Sequence, residues 1–370
     1  MANIIIPKVK FRDSLTYDSA SRTLDAVGNM YGRNLGNHYM THDGRTVDST
    51  GAFLVGELER LDLTYHGPLA AVTWSRDIKL RSDVTLADEV SSFTLSTFGS
   101  QGSVGGNSIG NGKAWIGKDT TQITGISVDI KKQTFPLTPW GMELKYTVLE
   151  LESAAKLGRP IDQQKYEGLQ LKHQMDIDEM VYIGDTSLGQ YGLVNQPSSV
   201  VTNVTNVVSG VSGSKLWSQK TADEILRDVN DMLTSVWSAS AYQVIPEILL
   251  IPPTQFGFIS TTKVSQAGNV SILKYIQENS LLATSNAGRL KIYPLKWLVG
   301  AGTGGTIGTA NGYDRAVVYT NDPIRIRYPM TLLQRTPIQY DSIFHKTSYY
   351  CRLGVIEPVY PQTMGYFDGI

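Results

Sequence analysis

Two stretches in the first third of the chain alternate apolar and polar residues, which is the pattern of β-strands. The first reads SSFTLSTFG and the second reads TGISVDIK. The alternating positions are Phe93, Leu95 and Thr97 in the first stretch and Ile126, Val128 and Ile130 in the second. The pattern predicts a long hairpin within residues 85–130.

The segment between the two strands, GSQGSVGGNSIGNGKAWIG, contains seven glycines from Gly99 to Gly117. A lone two-stranded ribbon is only marginally stable in water, so it needs a surface to rest on. Two interpretations remain open: a flexible surface loop, or an arm that contacts another subunit.

Helical spacing follows the hairpin in two consecutive segments. The first predicted helix covers 142–157, ends before Gly158, and has apolar residues three or four positions apart: Leu144, Val148, Leu151 and Ala155. The second predicted helix covers 160–183, begins at Pro160 and is roughly 35 Å long at 1.5 Å per residue. Its stripe consists of Tyr166, Leu169, His173, Ile177 and Met180. A helix with one apolar stripe is expected to lie across a sheet.

The second half of the chain alternates predicted strands and helices. Residues 198–216 are rich in serine, valine, asparagine and glycine, which is typical of a surface ribbon or linker. Thr221 and Glu224 form a capping-box signature before the clearest helical pattern of the chain. PEILLIPP, LKIYPLKWLVG and RAVVYT read as strands and NVSILKYIQENS as a helix, which together predict an inserted α/β lobe.

The two ends of the chain differ from this middle part. Residues 1–50 are polar and without clear periodicity, so they are expected either to be disordered or to lie along a neighbour. Residues 51–63 read as a short amphipathic helix, and residues 331–370 return to strands rich in tyrosine and isoleucine.

Charge and composition exclude several classes of protein. The chain has 33 basic and 34 acidic residues, so it has no global positive field for binding nucleic acid. Its single cysteine, Cys351, excludes an intrachain disulfide and a multi-cysteine zinc site, and is expected to be a buried, inert thiol. No apolar run approaches the length of a membrane span or a secretory core, which predicts a cytoplasmic protein.

Three short motifs resemble those of enzymes but lack the required context. Gly300, Gly302 and Gly305 match a dinucleotide fingerprint, yet TIGTANGYDR follows where a helix is needed, so a hairpin loop is predicted. The G-x-S-x-G match around Ser108 lies among glycines rather than between a strand and a helix. Gly112-Lys113 lacks both the serine or threonine and the upstream glycine of a phosphate-binding loop.

Titratable residues give no convincing catalytic or metal site either. His38 and His42 are four positions apart, but their surroundings read as a loop. His173 is expected to be a packing residue of the long helix. Asp176, Asp178 and Glu179 are assigned to the outer, solvent-exposed face of that helix.

The stretch from Gly125 to Pro197 joins an alternating strand, a short helix, a long helix and the turn GLVNQP. This order of elements resembles the middle of a tailed-bacteriophage major capsid protein, a fold shared with encapsulin shells. The resemblance implies an α+β capsid fold with an arm, an extended loop, a peripheral domain with a long spine helix, and an inserted axial domain. The implied boundaries are 1–50 for the arm, 51–84 for the start of the peripheral domain, 85–130 for the extended loop, 131–199 for the peripheral domain with its spine helix at 160–183, 200–330 for the axial domain and 331–370 for the return strands of the peripheral domain.

The resemblance implies a structural protein rather than an enzyme, without cofactor, that assembles into hexamers and pentamers of an icosahedral head. It also implies double-stranded DNA as a non-specific partner, and separate scaffolding, portal and decoration proteins as further partners. The expected location is the virion, with assembly in the host cytoplasm and no contact with a membrane. Because the chain starts directly with the arm, assembly is expected to use a separate scaffold or none.

The expected intersubunit contact is the tip of the extended loop. Its residues are Gly102, Gly105, Gly106, Asn107, Lys113 and Trp115. Some relatives crosslink through a lysine of this loop, where Lys113 and Lys118 lie, but the sequence identifies no partner for either. The alternatives are an encapsulin-like compartment shell and, from a different class, an α/β enzyme.

Overall fold

The chain divides into two units, residues 1–69 and residues 70–370. The computed structural model describes residues 17–18, 23–24, 68, 70–100, 118, 125–157, 161–265, 269–285, 288–309 and 313–370. In the first unit, β1 (Tyr17–Asp18) pairs antiparallel with β2 (Thr23–Leu24). The helix predicted at 51–63, most of the arm and the loop tip lie outside the described residues.

A five-stranded mixed sheet forms the centre of the second unit. In spatial order its strands are β7 (Val204–Asn206), β16 (Met364–Asp368), β10 (Arg315–Tyr319), β8 (Ile248–Ile251) and β9 (Lys291–Pro294). Every residue of β8, β10 and β16 is buried, and apart from Arg315 and Asp368 at the ends of β10 and β16 these strands carry no charged residue. Both faces of the sheet are therefore covered.

Alternate residues of this sheet contribute to two separate cores. On one face Leu249 and Val318 pack with four helices. These are α4 (Ala222–Ala239), α5 (Pro253–Thr261), α6 (Ile272–Asn279) and α7 (Leu281–Thr284). The capping box predicted from Thr221 and Glu224 is present at the start of α4. On the other face Leu250 and Val317 join the core that contains the long helix.

The long helix α3 (Ile161–Tyr182) follows α2 (Val148–Leu157) and lies beside a second sheet. In that sheet β6 (Thr138–Thr147) pairs along ten residues with β14 (Phe344–Leu353). The other edge of β14 pairs with β12 (Gln334–Arg335) and β13 (Gln339–Asp341). Of the predicted stripe, Leu169, His173 and Ile177 are buried, whereas Tyr166 and Met180 are half-buried.

The helix predicted at 142–157 is wrong in its first six residues, because Met142–Thr147 belongs to β6. Trp140, Met142 and Leu144 also satisfy a period of two, and Leu144 is buried while Glu143 and Lys145 are exposed. Pairing with a ten-residue strand some two hundred positions later satisfies the backbone of β6, and helical spacing alone does not reveal that partner.

A third small sheet and a separate ribbon complete the unit. The small sheet has the order β15 (Glu357–Pro358), β11 (Ile326–Pro329) and β3 (Leu80–Arg81), and the short helix α1 (Trp74–Asp77) precedes it. The ribbon consists of β4 (Val90–Ser100) and β5 (Ile126–Pro136), which pair antiparallel over eleven residues. Short 3-10 turns occur at Thr186–Leu188, Trp217–Gln219, Lys296–Leu298 and Pro361–Thr363.

Two segments contribute strands to the five-stranded sheet in a way that their sequences did not specify. Residues 198–216 were expected to form a surface ribbon or linker, but Val204–Asn206 pairs parallel with β16, and Val201 and Val207 are buried. Within 331–370, β12–β14 lie in the sheet of β6, whereas Met364–Asp368 forms an inner strand of the five-stranded sheet. Partners distant in sequence determine both placements.

Candidate assembly surface and its anchors

The ribbon β4–β5 has an exposed apolar face. In its register Phe98 pairs with Val128 and Ser96 with Ile130, and directly paired residues share a face. The apolar face consists of Phe98, Ile126, Val128 and Ile130, whose exposed fractions are 43%, 78%, 53% and 66%. Among the described residues, the ribbon pairs with no third strand.

The register corrects the sequence-based view of this hairpin. Phe93 and Leu95 lie on the face opposite to Ile126, Val128 and Ile130, because Phe93 pairs with Gln133 and Leu95 with Lys131. The two apolar alternations therefore do not form one continuous stripe. The sequence reveals each alternation but does not reveal how the two strands are aligned.

Near its base the ribbon is joined to the small sheet by a buried carboxylate. Glu357 is completely buried and accepts hydrogen bonds from Arg327 Nε at 2.7 Å and from Ser91 Oγ. Arg81 Nη1 lies 3.5 Å from the same carboxylate and donates to Ser91 Oγ at 2.9 Å. Two guanidinium groups and a hydroxyl thus satisfy the buried charge, which is the condition under which a buried carboxylate is tolerated.

Aromatic contacts support the same end of the ribbon. Phe93 and Phe135 stack with ring centroids 5.8 Å apart, and the Arg327 guanidinium lies 5.8 Å from the Phe93 centroid. The backbone N–H of Leu137 donates to the carbonyl of Glu89 at 2.9 Å where the ribbon meets β6. The base of the ribbon is therefore held firmly, whereas its outer half presents apolar side chains to solvent.

Asp178, assigned from the sequence to an exposed helix face, is instead 1% exposed. Its Oδ1 accepts from the backbone N–H groups of Thr73 and Trp74, at 2.8 and 3.1 Å, and so satisfies the start of α1. Its Oδ2 accepts from Trp297 Nε1 at 2.9 Å. No spacing rule predicts this role, because the helix start lies 104 residues earlier in the chain.

A second buried carboxylate connects α1 to the same helix. Asp77 is completely buried and accepts from Tyr182 at 2.5 Å and from Arg76 Nε at 2.6 Å. Tyr319 of β10 donates to the backbone carbonyl of Asp77 at 2.7 Å. Burial and the nearby Asp77 carboxylate both raise the pKa of the Tyr182 hydroxyl, so it remains a hydrogen-bond donor. These contacts join α1, α3 and the five-stranded sheet.

The turn GLVNQP packs directly against the end of α3. Leu193 and Val194 are fully buried, and their backbone N–H groups donate to the carbonyls of Val181 and Tyr182 at 2.8 and 3.0 Å. A Cβ at Gly192 would lie 2.2 Å from the backbone carbon of Tyr182, so only glycine fits this approach. The sequence order that resembles capsid proteins thus corresponds to a close backbone contact.

The nucleotide-like motif forms a tight loop, as predicted, but not a hairpin loop, because β9 and β10 on either side of it are not neighbours in the sheet. Residues 300–309 contain no helix, and the N–H of Gly302 donates to the carbonyl of Tyr313 at 2.7 Å. Gly300 has φ +67°, and a Cβ there would lie 2.3 Å from the carbonyl oxygen of Thr306. The loop therefore requires this glycine for its own packing.

A buried ion pair holds this loop against the five-stranded sheet. Asp368 accepts from Arg315 at 2.6 and 2.9 Å and from the backbone and hydroxyl of Thr303 at 2.9 and 2.8 Å. Arg315 also donates to the carbonyl of Val194 at 2.8 Å. Burial acts to raise the pKa of Asp368, but the hydrogen bonds and positive charge of Arg315, together with the hydrogen bonds from Thr303, outweigh it, and the pKa is lowered.

His173 and Cys351 form a packed pair without catalytic geometry. His173 Nε2 lies 3.3 Å from Cys351 Sγ, and the imidazole packs edge-on against Trp140 with centroids 4.8 Å apart. Cys351 is 1% exposed, and burial raises the pKa of its thiol to about 12, so the thiolate is disfavoured. The prediction of a buried, inert cysteine is confirmed. Within the described residues, no three His, Cys, Asp or Glu side chains are placed to bind a metal ion.

The predicted contact residues at the loop tip lie outside the described residues. They are Gly102, Gly105, Gly106, Asn107, Lys113 and Trp115. The same holds for His38, His42, Ser108 and Gly112. Lys118, the other lysine of the loop, is exposed. The exposed apolar face of β4–β5 is a further candidate for an intersubunit contact, which the sequence analysis did not identify.

A sequence model described as "Major capsid protein" matches residues 112–370 of this chain. Among solved structures, "The capsid of Myoviridae Phage XM1" is similar with a TM-score of 0.64 and 15% identity, covering 89% of this chain and 100% of that one. "Capsid of native GTA particle computed with C5 symmetry" gives 0.54 and 13% identity, covering 87% of this chain and 99% of that one. "Mycobacterium phage Adephagia" gives 0.52 and 10% identity, covering 87% and 97%.

At these identities the structural matches establish a shared fold and nothing finer. They agree with the α+β capsid fold expected from the order of elements. No curated protein sequence matches the chain. Among the described residues, no helix is both long and apolar enough to span a membrane.

Proposed function

The chain belongs to the major capsid protein family, and from that premise we propose that it assembles into hexamers and pentamers of a closed icosahedral shell around double-stranded DNA. Its role is structural. The family match supports the capsid role over both alternatives, the encapsulin-like compartment and the α/β enzyme. Assembly in the host cytoplasm is part of the same proposal.

The observation that carries the proposal is the exposed apolar face of the ribbon. Exposing apolar side chains to water is unfavourable, and burying them against a partner lowers the free energy. On this two-stranded sheet the exposed side chains are Phe98, Ile126, Val128 and Ile130. The firm base at Glu357 holds this face at a set position. Contacts between unlike surfaces of identical chains generate rings, and rings can close into shells.

Negative-stain microscopy of the purified protein tests this proposal. We expect closed shells or ring-containing sheets from the unaltered chain. Ile130→Asn should strongly reduce their number because it places an amide in the proposed contact. Lys131→Asn changes the adjacent residue of the same strand on the opposite face, and should leave assembly intact. Discrete monomers of the unaltered chain at high concentration, or equal effects of the two substitutions, would contradict the proposal.

We extend the proposed contact to the loop tip, with Gly102, Gly105, Gly106, Asn107, Lys113 and Trp115 as its residues. The support is the ribbon that leads into the tip, together with the range of backbone conformations open to glycine. Such freedom would let one sequence fit both hexamers and pentamers, with Trp115 as an apolar anchor. Replacing Gly105 and Gly106 with valine should impair assembly and leave the stability of the subunit largely unchanged. Equal loss of folding would make the segment part of the core instead.

Contact with DNA is proposed to be diffuse and independent of sequence. With 33 basic and 34 acidic residues, one subunit cannot gather many phosphate contacts without leaving an acidic surface elsewhere. The measurement is binding of a short duplex to the unassembled subunit at physiological salt. Nanomolar affinity would contradict the proposal, because it requires a strong local basic patch.

A further inference from the structure

Arg81 is the last residue of β3, and its side chain reaches the base of the ribbon. Its Nη1 lies 2.9 Å from Ser91 Oγ, 3.4 Å from the carbonyl oxygen of Ser92 and 3.5 Å from the Glu357 carboxylate. One nitrogen thus has three acceptors within reach, on the ribbon and on the small sheet. Because this nitrogen carries only two hydrogens, the orientation of the guanidinium decides which acceptors it uses.

The opposite edge of the same guanidinium is held by Asp83. Arg81 Nε and Nη2 donate to the two carboxylate oxygens of Asp83 at 2.7 and 3.0 Å, which makes a bidentate pair. Because the guanidinium is planar and rigid, this pair fixes the direction in which Nη1 points. The Arg81 side chain is 21% exposed and the Asp83 side chain is 64% exposed. An exposed carboxylate therefore orients a largely buried contact.

Asp83 has little part in the stability of the subunit core. Solvent weakens an exposed ion pair, so its loss has a small effect on folding. The hydrogen bond from Arg81 lowers the pKa of Asp83, so the carboxylate stays charged and keeps the pair. The consequence of this pair is therefore expected at the ribbon, where Arg81 acts.

Other arginines hold the ribbon in the same way. Arg352 donates to the carbonyls of Leu86 and Leu137, at 2.7 and 3.4 Å, just outside the two strands. Arg327 reaches the base through the Glu357 carboxylate. Among the described residues no third strand extends the ribbon's ladder. The angle between the ribbon and the small sheet therefore depends on where these guanidinium groups point.

The length of the ribbon amplifies a small change at its base. Phe98, on the exposed apolar face, lies seven residues beyond Ser91 on β4, which is about 23 Å at 3.3 Å per residue. A rotation of about 10° at the base moves Phe98 by about 4 Å over that length. Such a displacement is enough to separate side chains that pack in van der Waals contact.

We propose that Asp83 is a positioning residue for assembly: by orienting Arg81, it sets the angle at which the ribbon presents its apolar face to a neighbour. The inference rests on the assembly proposed above. It assigns control of that contact to an exposed residue that lies outside the ribbon and outside its apolar face.

Amide exchange in the unassembled subunit tests the first step. Asp83→Asn should accelerate exchange of the β4–β5 amides by about two- to fivefold and leave the denaturant midpoint of the subunit unchanged. Asp341→Asn is the matched control, because Asp341 and its partner Lys346 are 63% and 26% exposed, close to the values for Asp83 and Arg81. Unchanged ribbon exchange in Asp83→Asn, or equal acceleration in the control, would overturn the proposal.

A pair of substitutions shows whether Asp83 acts through Arg81. Arg81→Met should accelerate ribbon exchange more than Asp83→Asn does, and adding Asp83→Asn to it should change nothing further. Asp83→Glu keeps a carboxylate and should restore slow exchange. Additive effects of the first two substitutions, or fast exchange in Asp83→Glu, would contradict the assigned role.

The rate of assembly, followed by light scattering, separates this inference from the proposed function. Asp83→Asn should assemble several times more slowly than the unaltered chain, and Asp83→Glu should assemble at close to the unaltered rate. Normal assembly of Asp83→Asn despite faster ribbon exchange refutes this inference alone. Failure of the unaltered chain to form particles refutes the proposed function instead.

Discussion

The five-stranded sheet and the ribbon are both built from β-strands rich in isoleucine, valine and aromatic residues, yet they meet opposite environments. Ile248 of β8 is 2% exposed, whereas Ile130 of β5 is 66% exposed. Helices and a second core cover both faces of the sheet, whereas among the described residues of one subunit the cover on the ribbon is confined to its base. The sheet accounts for stability of the subunit, and the ribbon keeps its apolar surface for a neighbour.

The largest expected difference comes from making the same substitution, isoleucine to alanine, once in the five-stranded sheet and once in the ribbon. Ile248→Ala should lower the free energy of unfolding of the unassembled subunit by about 2–5 kcal/mol, through lost burial and a new cavity. Ile130→Ala removes the same atoms from an exposed site and should cost no more than about 0.5 kcal/mol. Denaturant titration of both variants measures the difference. Equal losses would show that the ribbon is part of the subunit core.

A smaller effect is expected where the two regions join. Glu357→Gln leaves Arg81 and Arg327 without their shared carboxylate and should cost roughly 1–3 kcal/mol, reduced by the partial exposure of both arginines. Amide exchange in β4–β5 should accelerate as well, because glutamine has one acceptor oxygen where the carboxylate has two, and cannot accept from both Ser91 and Arg327.

Glu247→Gln is the matched control for this anchor. Glu247 pairs with Lys291 at 3.1 Å, and both side chains are substantially exposed, so its loss should cost less than about 1 kcal/mol. If the two variants lose equal stability, or if ribbon exchange is unchanged in Glu357→Gln, the proposed anchor is wrong.

The smallest expected effect is on the pH dependence of subunit stability, and it comes from the buried His173. Burial lowers the pKa of His173 below 6.5, and Asp176 acts in the opposite direction with less effect. As pH falls below about 6.5, the unfolded chain binds a proton that the folded chain still excludes, so stability decreases until the lower folded pKa is passed. His173→Gln should flatten this part of the stability profile and leave shell formation intact.

Unfolding measurements from pH 5 to 8 compare the two profiles. His345→Gln controls for the removal of a histidine as such, because its ring contacts Tyr340 in the sheet of β13 and β14. A steeper profile in His173→Gln, or loss of an enzymatic or metal-dependent activity, would contradict a role in packing alone.

Local signals in the sequence predicted a large part of this fold. The capping box at Thr221 and Glu224, the apolar run of β8 and the stripe of α3 each depend on neighbours within a few positions. The two strands β4 and β5, and the lack of a helix in the described residues 306–309, are predictable for the same reason. The order of these elements was sufficient to identify the resemblance to capsid proteins.

Tertiary structure decided the features whose partners are distant in the chain. Met142–Thr147 became a strand because β14 offers ten paired residues, and Asp178 became buried because the start of α1 lies beside it. The exposed face of the ribbon depends on the register of β4 against β5. Periodicity reports which side chains share a face, but hydrogen-bond partners and strand alignment depend on segments that only folding brings together.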